Sequence, residues 1–404
     1  MRSSKEKKDS HLWSFSGKEK GAFISSCPRK NLTAYFPLFN FAGLMSCTTP
    51  ELKGDIKTGQ NSFLTPPLVT EEIPHIRYSR NFWIKTDKMI WSATVCGFNT
   101  SENEKKDLEK SYLKAGILYY QLTRENKKLR LKVETTIFVP FTNDTVEISL
   151  FAVENTSKNK SISFTPFFAM PIYGRSADNQ RDHRQVTTLL NRSSSDRYSV
   201  IVKPTMVFDE KGHHVNDLTY SISCCTGKGS SPDSILCLME EYIGSFGTLD
   251  RPAWIFDDTC NNLSSHDGKE AVGAFRFPKI TLSPGEKAYY IALAGISDST
   301  AAKNRWLKKY GTLDSAKKAL SETCQDWQRL LNKVDFETGD RLFDNWIKWV
   351  SLQPHARKVY GCSIRPNELG SNGCPPIAYL SMLYFNGHSL LISLSDSRSR
   401  PQSL

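Results

Sequence analysis

From about residue 10 to residue 297, apolar and polar residues alternate in short runs bounded by turn residues. A period of two sends successive side chains to opposite faces of an extended chain, so each run reads as a strand with one face for a core. In LRLKVETTIFVPFTND, Leu129, Leu131 and Val133 alternate with charged neighbours, and Pro140 followed by Asn143 and Asp144 ends the run. TVEISLFAVENTSKNKSISFTPFFAM reads as two strands joined by a polar turn at 155–160, a hairpin signal. Further strands are expected at 198–203, 217–225, 235–243, 271–277 and 287–295, the last fed by a Pro-Gly turn in LSPGEKAYYIALAG. Many strands with few helices predict a mainly β chain. Residues 12–297 should form one large antiparallel sandwich, bigger than an immunoglobulin domain.

The period then changes. Residues 299–333, STAAKNRWLKKYGTLDSAKKALSETCQDWQRLLNK, have helical spacing, and 298–339 is expected to be a helical linker. Thr312 or Asp314 can cap its second half. Trp306 with Tyr310, and Leu320, Trp327, Leu330 and Leu331, form apolar stripes at that spacing. A further helix is expected over 340–360, with Phe343, Trp346 and Trp349 three residues apart and Pro354 kinking or ending it. Residues 364–404 have no sustained period and close on a Ser/Arg-rich run. They read as an aberrant tail without fixed structure, too short for another enzyme domain.

The net charge of +11 is not a nucleic-acid signature. Residues 1–30 hold eight Lys/Arg against three Asp/Glu, with residues 1–11 a basic tail, and acidic residues interrupt the rest. A nucleic-acid surface concentrates cations with aromatics, so no nucleic-acid partner is expected. MRSSKEKKDSHL lacks the apolar centre of an export signal, and MLYFNGHSLLISL is interrupted and too short to span a bilayer. No membrane partner is expected. Ten scattered cysteines with no C-x-x-C pair fit reduced thiols in a cytoplasmic protein.

Several short matches carry nothing. GKGSS at 227–231 lacks the frame of a phosphate-binding loop, and GSFG at 244–247 is not a nucleophile elbow. His213 and His214 with Cys224 and Cys225 fit no zinc spacing, so no metal is expected. Asp257 and Asp258 suit a turn.

RSADNQRDHRQVTTLLNR, residues 175–192, differs in kind, with four arginines, a histidine and two aspartates, and apolar anchors only near its end at Val186, Leu189 and Leu190. It follows the apolar strand FTPFFAMPIYG with Gly174 as a break, so it sits at a sheet end. Arg175, Asp178, Asn179, Arg181, Asp182, His183 and Arg184 are the candidate site residues, since forked arginines with amide and imidazole partners can hold hydroxyls or phosphate. Three readings stay open: a salt-bridged or inter-subunit loop, a ligand-contacting loop, and a solvated charged face.

The chain resembles the cellobiose and chitobiose phosphorylases of the former glycosyltransferase family 36, now glycoside hydrolase family 94. The resemblance rests on YFPLFNFAGLMSCTTPELKGDIKTGQNSFLTPP at 35–67, SRNFWI at 79–84, WSAT at 91–94 and GRSADNQRDHRQVTTLL at 174–190. FDNWIKWVSLQPHARKVYGCS at 343–363 extends it. It implies a β-supersandwich, a helical linker and an (α/α)6 barrel that performs the chemistry, here represented only by its first helix at 340–363. It also implies inverting cleavage of a β-linked disaccharide by inorganic phosphate as co-substrate, with a carboxylic acid protonating the leaving oxygen. No resident cofactor is implied. The ligands would be a β-linked oligosaccharide or a sugar phosphate, and the partner a second copy in a homodimer or a separately encoded barrel.

The sequence departs from that family near Ile364, where GSNGCPPIAYLSML stands in place of a glycine-rich segment with an Arg-Asp pair. Asp396 is the only aspartate after Asp344, and its surroundings do not match a catalytic motif. The expectation is a truncated relative, catalytically silent alone. The alternative is a free-standing carbohydrate-binding or subunit-interaction sandwich. On the truncation reading Phe343, Trp346 and Trp349 should form an exposed apolar patch or pack irregularly against the tail, so that deleting 340–404 improves solubility. Alanine at Arg175, Arg181 or Arg184 should barely change stability if the arginines serve an interface.

Overall fold

A computed structural model describes residues 13–360 apart from 27, 29–35, 69–71, 95–108, 181–183, 210–211, 258–264 and 334. The expected tails at 1–11 and 364–404 lie outside the described residues.

The chain begins with β1 (Ser14–Phe15) and β2 (Phe23–Ser25). A small four-stranded sheet follows, of β3 (Phe36–Phe39), β4 (Met45–Thr48), β5 (Ile56–Gly59) and β6 (Ser62–Phe63). Next come β7 (Asn81–Lys85) and β8 (Ile90–Ser92), then the meander β9 (Glu109–Gly116), β10 (Tyr119–Asn126), β11 (Leu131–Phe138) and β12 (Val146–Asn155). β13 (Ile162–Ile172) leads to the charged segment and its short helix α1 (Arg184–Thr188). Beyond it lie β14 (Arg192–Ser195), β15 (Ser199–Val202), the hairpin β16 (Met206–Asp209) and β17 (Gly212–Val215), β18 (Thr219–Thr226) and β19 (Ser234–Leu238). Helices α2 (Met239–Ile243) and α3 (Ala253–Phe256) precede β20 (Ser265–Asp267), β21 (Ala271–Arg276), β22 (Ile280–Leu282) and β23 (Lys287–Ser297). The chain then turns helical, as α4 (Ala302–Tyr310), α5 (Leu313–Leu331) and α6 (Arg341–Tyr360).

Among the described residues one sheet has eleven strands, in the order β1-β2-β9-β10-β11-β12-β23-β18-β15-β14-β20. A second runs β19-β21-β13-β7-β8, with β22 also on β13, and all named pairings are antiparallel. The two face each other across the core. Phe82 of β7 stacks on Phe151 of β12 with ring centroids 4.5 Å apart, and Tyr290 of β23 packs on Phe82 at 5.6 Å. The alternation explains the assignment: Leu131, Val133 and Ile137 of β11 enter this core while Lys132 and Glu134 do not. The mainly β fold is as the sequence predicts.

Both outer faces are partly roofed. Trp254 and Ile255 of α3 with Tyr242 of α2 cover the second sheet through Trp83 and Phe167. Trp306 and Tyr310 of α4, with Ala316 and Ala319 of α5, cover Phe138, Ile148 and Leu293 on the first. Gly295 allows that contact, because a Cβ there would lie 2.4 Å from the Trp306 ring. Thr312 caps α5 in a capping box with Ser315, which settles the choice between the two candidate caps.

Three expectations need correction. Residues 239–243 of the expected strand 235–243 are helix, because the ladder to β21 ends at Leu238 and the chain turns onto the outer face. Pro354 does not end α6, which continues to Tyr360; the proline sits on an exposed position, where the carbonyl it leaves unpaired can be solvated. The stripe of α6 is only partly uncovered. Trp349 is buried against Phe23 at 5.3 Å and donates its indole N–H to the Gly21 carbonyl at 2.7 Å, and Leu352 and Ala356 are buried with it. Phe343 remains 38% exposed and Trp346 half-buried. The premise that deleting 340–404 removes only surplus apolar surface therefore fails, since the deletion would uncover Phe23.

Candidate functional site

The charged segment starts where β13 ends, and backbone pairing fixes it there. Tyr173 N–H donates to Leu64 O at 2.6 Å, Gly174 N–H to Phe63 O at 2.9 Å, and Phe63 N–H to Arg175 O at 3.0 Å. Gly174 makes the turn at φ +67°, a conformation in which a side chain would be strained. The Ser176 hydroxyl reaches Asn61 Oδ1 at 3.1 Å, and Asn61 in turn donates to Asp209 at 2.8 Å. The segment is thus tied to the β5–β6 hairpin on one side and to β16 on the other.

Arg175 is the centre of this arrangement, with 3% of its side chain exposed. Its Nε donates to Tyr173 O at 3.1 Å, and Nη1 donates to Arg184 O at 3.0 Å and to the Thr188 hydroxyl at 2.8 Å. Nη2 meets Glu270 at 2.6 Å, and the guanidinium lies 4.3 Å from the Tyr173 ring centroid. Glu270, just before β21, also accepts from Arg184 Nε at 3.3 Å and from Thr188 at 3.0 Å. Burial acts to raise the Glu270 pKa, but Arg175 and then Arg184 outweigh it and hold the carboxyl below its ordinary value. Arg184 is half exposed, and its Nε carries the contact to Glu270.

Below this lies a polar seam. Asp55 is fully buried and its pKa is raised, burial outweighing the nearby Lys57. Lys57 is buried too, its ammonium 4.8 Å from the Phe63 ring centroid. Burial pushes the Tyr173 phenol up to about 12, against the pull of Arg175 and Arg184. Burial, then Asp55 and Glu72, raise Tyr78 as well, against Arg184.

Of the sequence candidates, the structure brings Arg175 and Arg184 together on one carboxylate. Asn179 is buried and Asp178 exposed within a 3-10 turn. Arg181, Asp182 and His183 lie outside the described residues. The sequence reading missed Glu270, Thr188 and Asn61. The one available signal was a charged residue directly before the apolar strand AVGAFRF. The condition for cheap removal, an arginine serving an open interface, is not met by Arg175, which is buried and has five hydrogen-bond contacts. Arg175→Ala should cost about 1.5–3 kcal/mol, the range for hydrogen bonds to charged groups. Arg184→Ala should cost about 0–1 kcal/mol, as exposed pairs do. Urea unfolding of the two variants checks this, and equal losses would refute the division of roles. Glu270, with its pKa depressed below 4.5, contributes this stability at neutral pH and loses it as the pH falls through the depressed pKa.

The family model described as "Glycosyl hydrolase 94, supersandwich domain" matches residues 76–313, more than half of the chain. No curated protein matches the sequence. Among solved structures, a bacterial glucoamylase complexed with acarbose is 9% identical, with a TM-score of 0.49, over 83% of this chain and 41% of that one. A putative kojibiose phosphorylase from human microbiome is 9% identical, with a TM-score of 0.37, over 85% of this chain and 38% of that one. A family GH92 alpha-mannosidase from Bacteroides thetaiotaomicron is 12% identical, with a TM-score of 0.35, over 83% and 37%. The chain spans about two fifths of the length of these proteins.

Proposed function

Because this chain belongs to the family of the glycosyl hydrolase 94 supersandwich domain, we propose that it is the supersandwich module of an inverting disaccharide phosphorylase. Its arginine-bearing loop borders the sugar and phosphate pocket. The supporting observation is Arg184, half exposed and set on a rigid anchor of buried Arg175 and Glu270. A cation whose position is fixed before the ligand arrives holds an anion at less entropic cost than one on a mobile loop. The ligand is inorganic phosphate or a sugar phosphate derived from a β-linked oligosaccharide. The acid for the leaving oxygen comes from an (α/α)6 barrel that packs on this face; a second copy in a homodimer is the other proposed partner.

A subunit-interaction role rests on a separate observation. Phe336, Leu342 and Phe343 are exposed together at the start of α6, with the Phe336 and Phe343 rings 6.5 Å apart. Among the described residues no helix is long and apolar enough to cross a membrane, and the module is proposed to work in the cytoplasm.

The purified chain should yield no sugar 1-phosphate from phosphate with cellobiose, chitobiose or laminaribiose. Loss of a general acid alone costs about 10²–10⁴-fold, and the positioning pocket is supplied elsewhere as well. Turnover that disappears on mutating a residue of this chain would overturn the module reading.

A further inference from the structure

Outside the charged loop, the outer face of the eleven-stranded sheet holds a second feature. Where the roof of α4 and α5 stops, a groove of about 170 Å³ opens over β11, β12 and β23. The strand register lays out its floor in rows. Lys132, Glu154 and Lys287 stand side by side, then Glu134, Ala152 and Tyr289, then Thr136 and Leu150, which run toward the helices. Ala152, the smallest side chain of the middle row, leaves a depression between Glu134 and Tyr289. From above, the Lys317 ammonium of α5 sits 5.1 Å from the Tyr289 ring centroid.

We propose that this groove is a binding site for one ring of a saccharide, separate from the charged loop and without a catalytic part. Charge signs are interleaved rather than convergent. Lys132 and Lys287 lie 2.5 and 3.4 Å from the same Glu154 carboxylate. Burial opposes the Glu154 charge, but the two lysines outweigh it and keep the carboxyl ionised. An inorganic anion entering here meets two carboxylates, and an apolar ligand strips water from three ammonium groups. A pyranose ring suits both. Its hydroxyls donate to Glu134 and Glu154 and accept from Lys287 and Lys317, while its C–H edge rests on Ala152, Leu150 and Tyr289. The volume agrees, being far more than the roughly 10–15 Å³ that one water needs and less than the roughly 300 Å³ where drug-sized pockets begin. This goes beyond the phosphorylase reading, since it uses other strands and needs no phosphate.

The test is saturation-transfer NMR on the full chain with D-glucose and with cellobiose, repeated in the presence of inorganic phosphate. The expected result is saturable binding that phosphate does not displace. Glu134→Gln and Ala152→Leu should each weaken it at least about fivefold, the loss of one charge-assisted hydrogen bond or of the depression. Lys279→Ala, outside both the groove and the charged loop, should leave it unchanged. Absence of any signal from the native chain overturns the proposal, as does displacement by phosphate or full binding in the folded groove variants. Binding lost only in Arg184→Ala overturns it too, and places the sugar at the charged loop instead. Should Ala152→Leu fail to fold, the exposed Glu134→Gln decides alone.

Discussion

Replacing Arg80 with methionine is expected to cost about 3–5 kcal/mol, a fall in Tm of roughly 10 °C for a domain of this size. Arg80 sits just before β7 and, like Glu147 of β12, is only 1% exposed. The two form a forked pair, Nε to Oε1 at 2.5 Å and Nη2 to Oε2 at 2.7 Å. Nη2 also reaches the Ser46 hydroxyl on β4 at 2.9 Å, and Nη1 the Leu52 carbonyl at 3.0 Å. One guanidinium therefore ties together the eleven-stranded sheet, the second sheet and the four-stranded sheet. Burial alone would lower the Arg80 pKa, but Glu147 outweighs it and raises the value. Methionine fills much of the volume but leaves the Glu147 carboxylate buried without its cation, and that uncompensated charge is the main cost. The double variant Arg80→Met, Glu147→Leu should recover much of the loss, because neither charge is then stranded. Urea denaturation measures both. A single variant within 1 kcal/mol of the native chain, or a double variant losing the sum of the two singles, would falsify the account.

Trp327→Ala should cost about 3–5 kcal/mol, the range for emptying an aromatic core site. The Trp327 ring is fully buried at the meeting point of α5, the β3–β4 hairpin, the turn after β11 and α6. Its centroid lies 5.3 Å from Phe39, 5.4 Å from Phe41 and 4.8 Å from Phe141, and 6.5 Å from the His355 ring. The alanine cavity should loosen α6 before the sandwich, so hydrogen exchange in 341–360 should rise more than in β10 to β12. Among the described residues the buried indole N–H has no hydrogen-bond partner. Trp327→Phe therefore gives up volume and no hydrogen bond, and should cost less than half as much. Equal losses in the two variants would mean that the N–H carries the effect.

How much of this was legible in the residues depends on how local the cause is. The meander β9 to β12 could be read because its partners adjoin in sequence and its alternation reports one-sided burial directly. The capped helix α5 was legible for the same reason, its stripe of Ala316, Thr323, Trp327 and Leu331 lying on one face. Strand order was not. β12 pairs with β23 through Val146 and Gly295, and alternation states that a face is buried without saying what buries it. The helical half of 235–243 escaped because a short apolar run fits either element, and the end of the β21 ladder decided it. Trp349 read as unpartnered because Phe23 lies more than three hundred positions earlier. The arginines show the limit most plainly. Arg175 and Arg184 are indistinguishable within their charge run, yet one is buried structure and the other an open cation. Both reach Glu270, which the second sheet brings to the loop from 95 residues away in the case of Arg175. But Arg175 also lies on the Tyr173 ring and donates to the Tyr173 carbonyl and the Thr188 hydroxyl. A charge run gives composition and place, but whether a given charge is buried depends on a partner that only the tertiary pairing supplies.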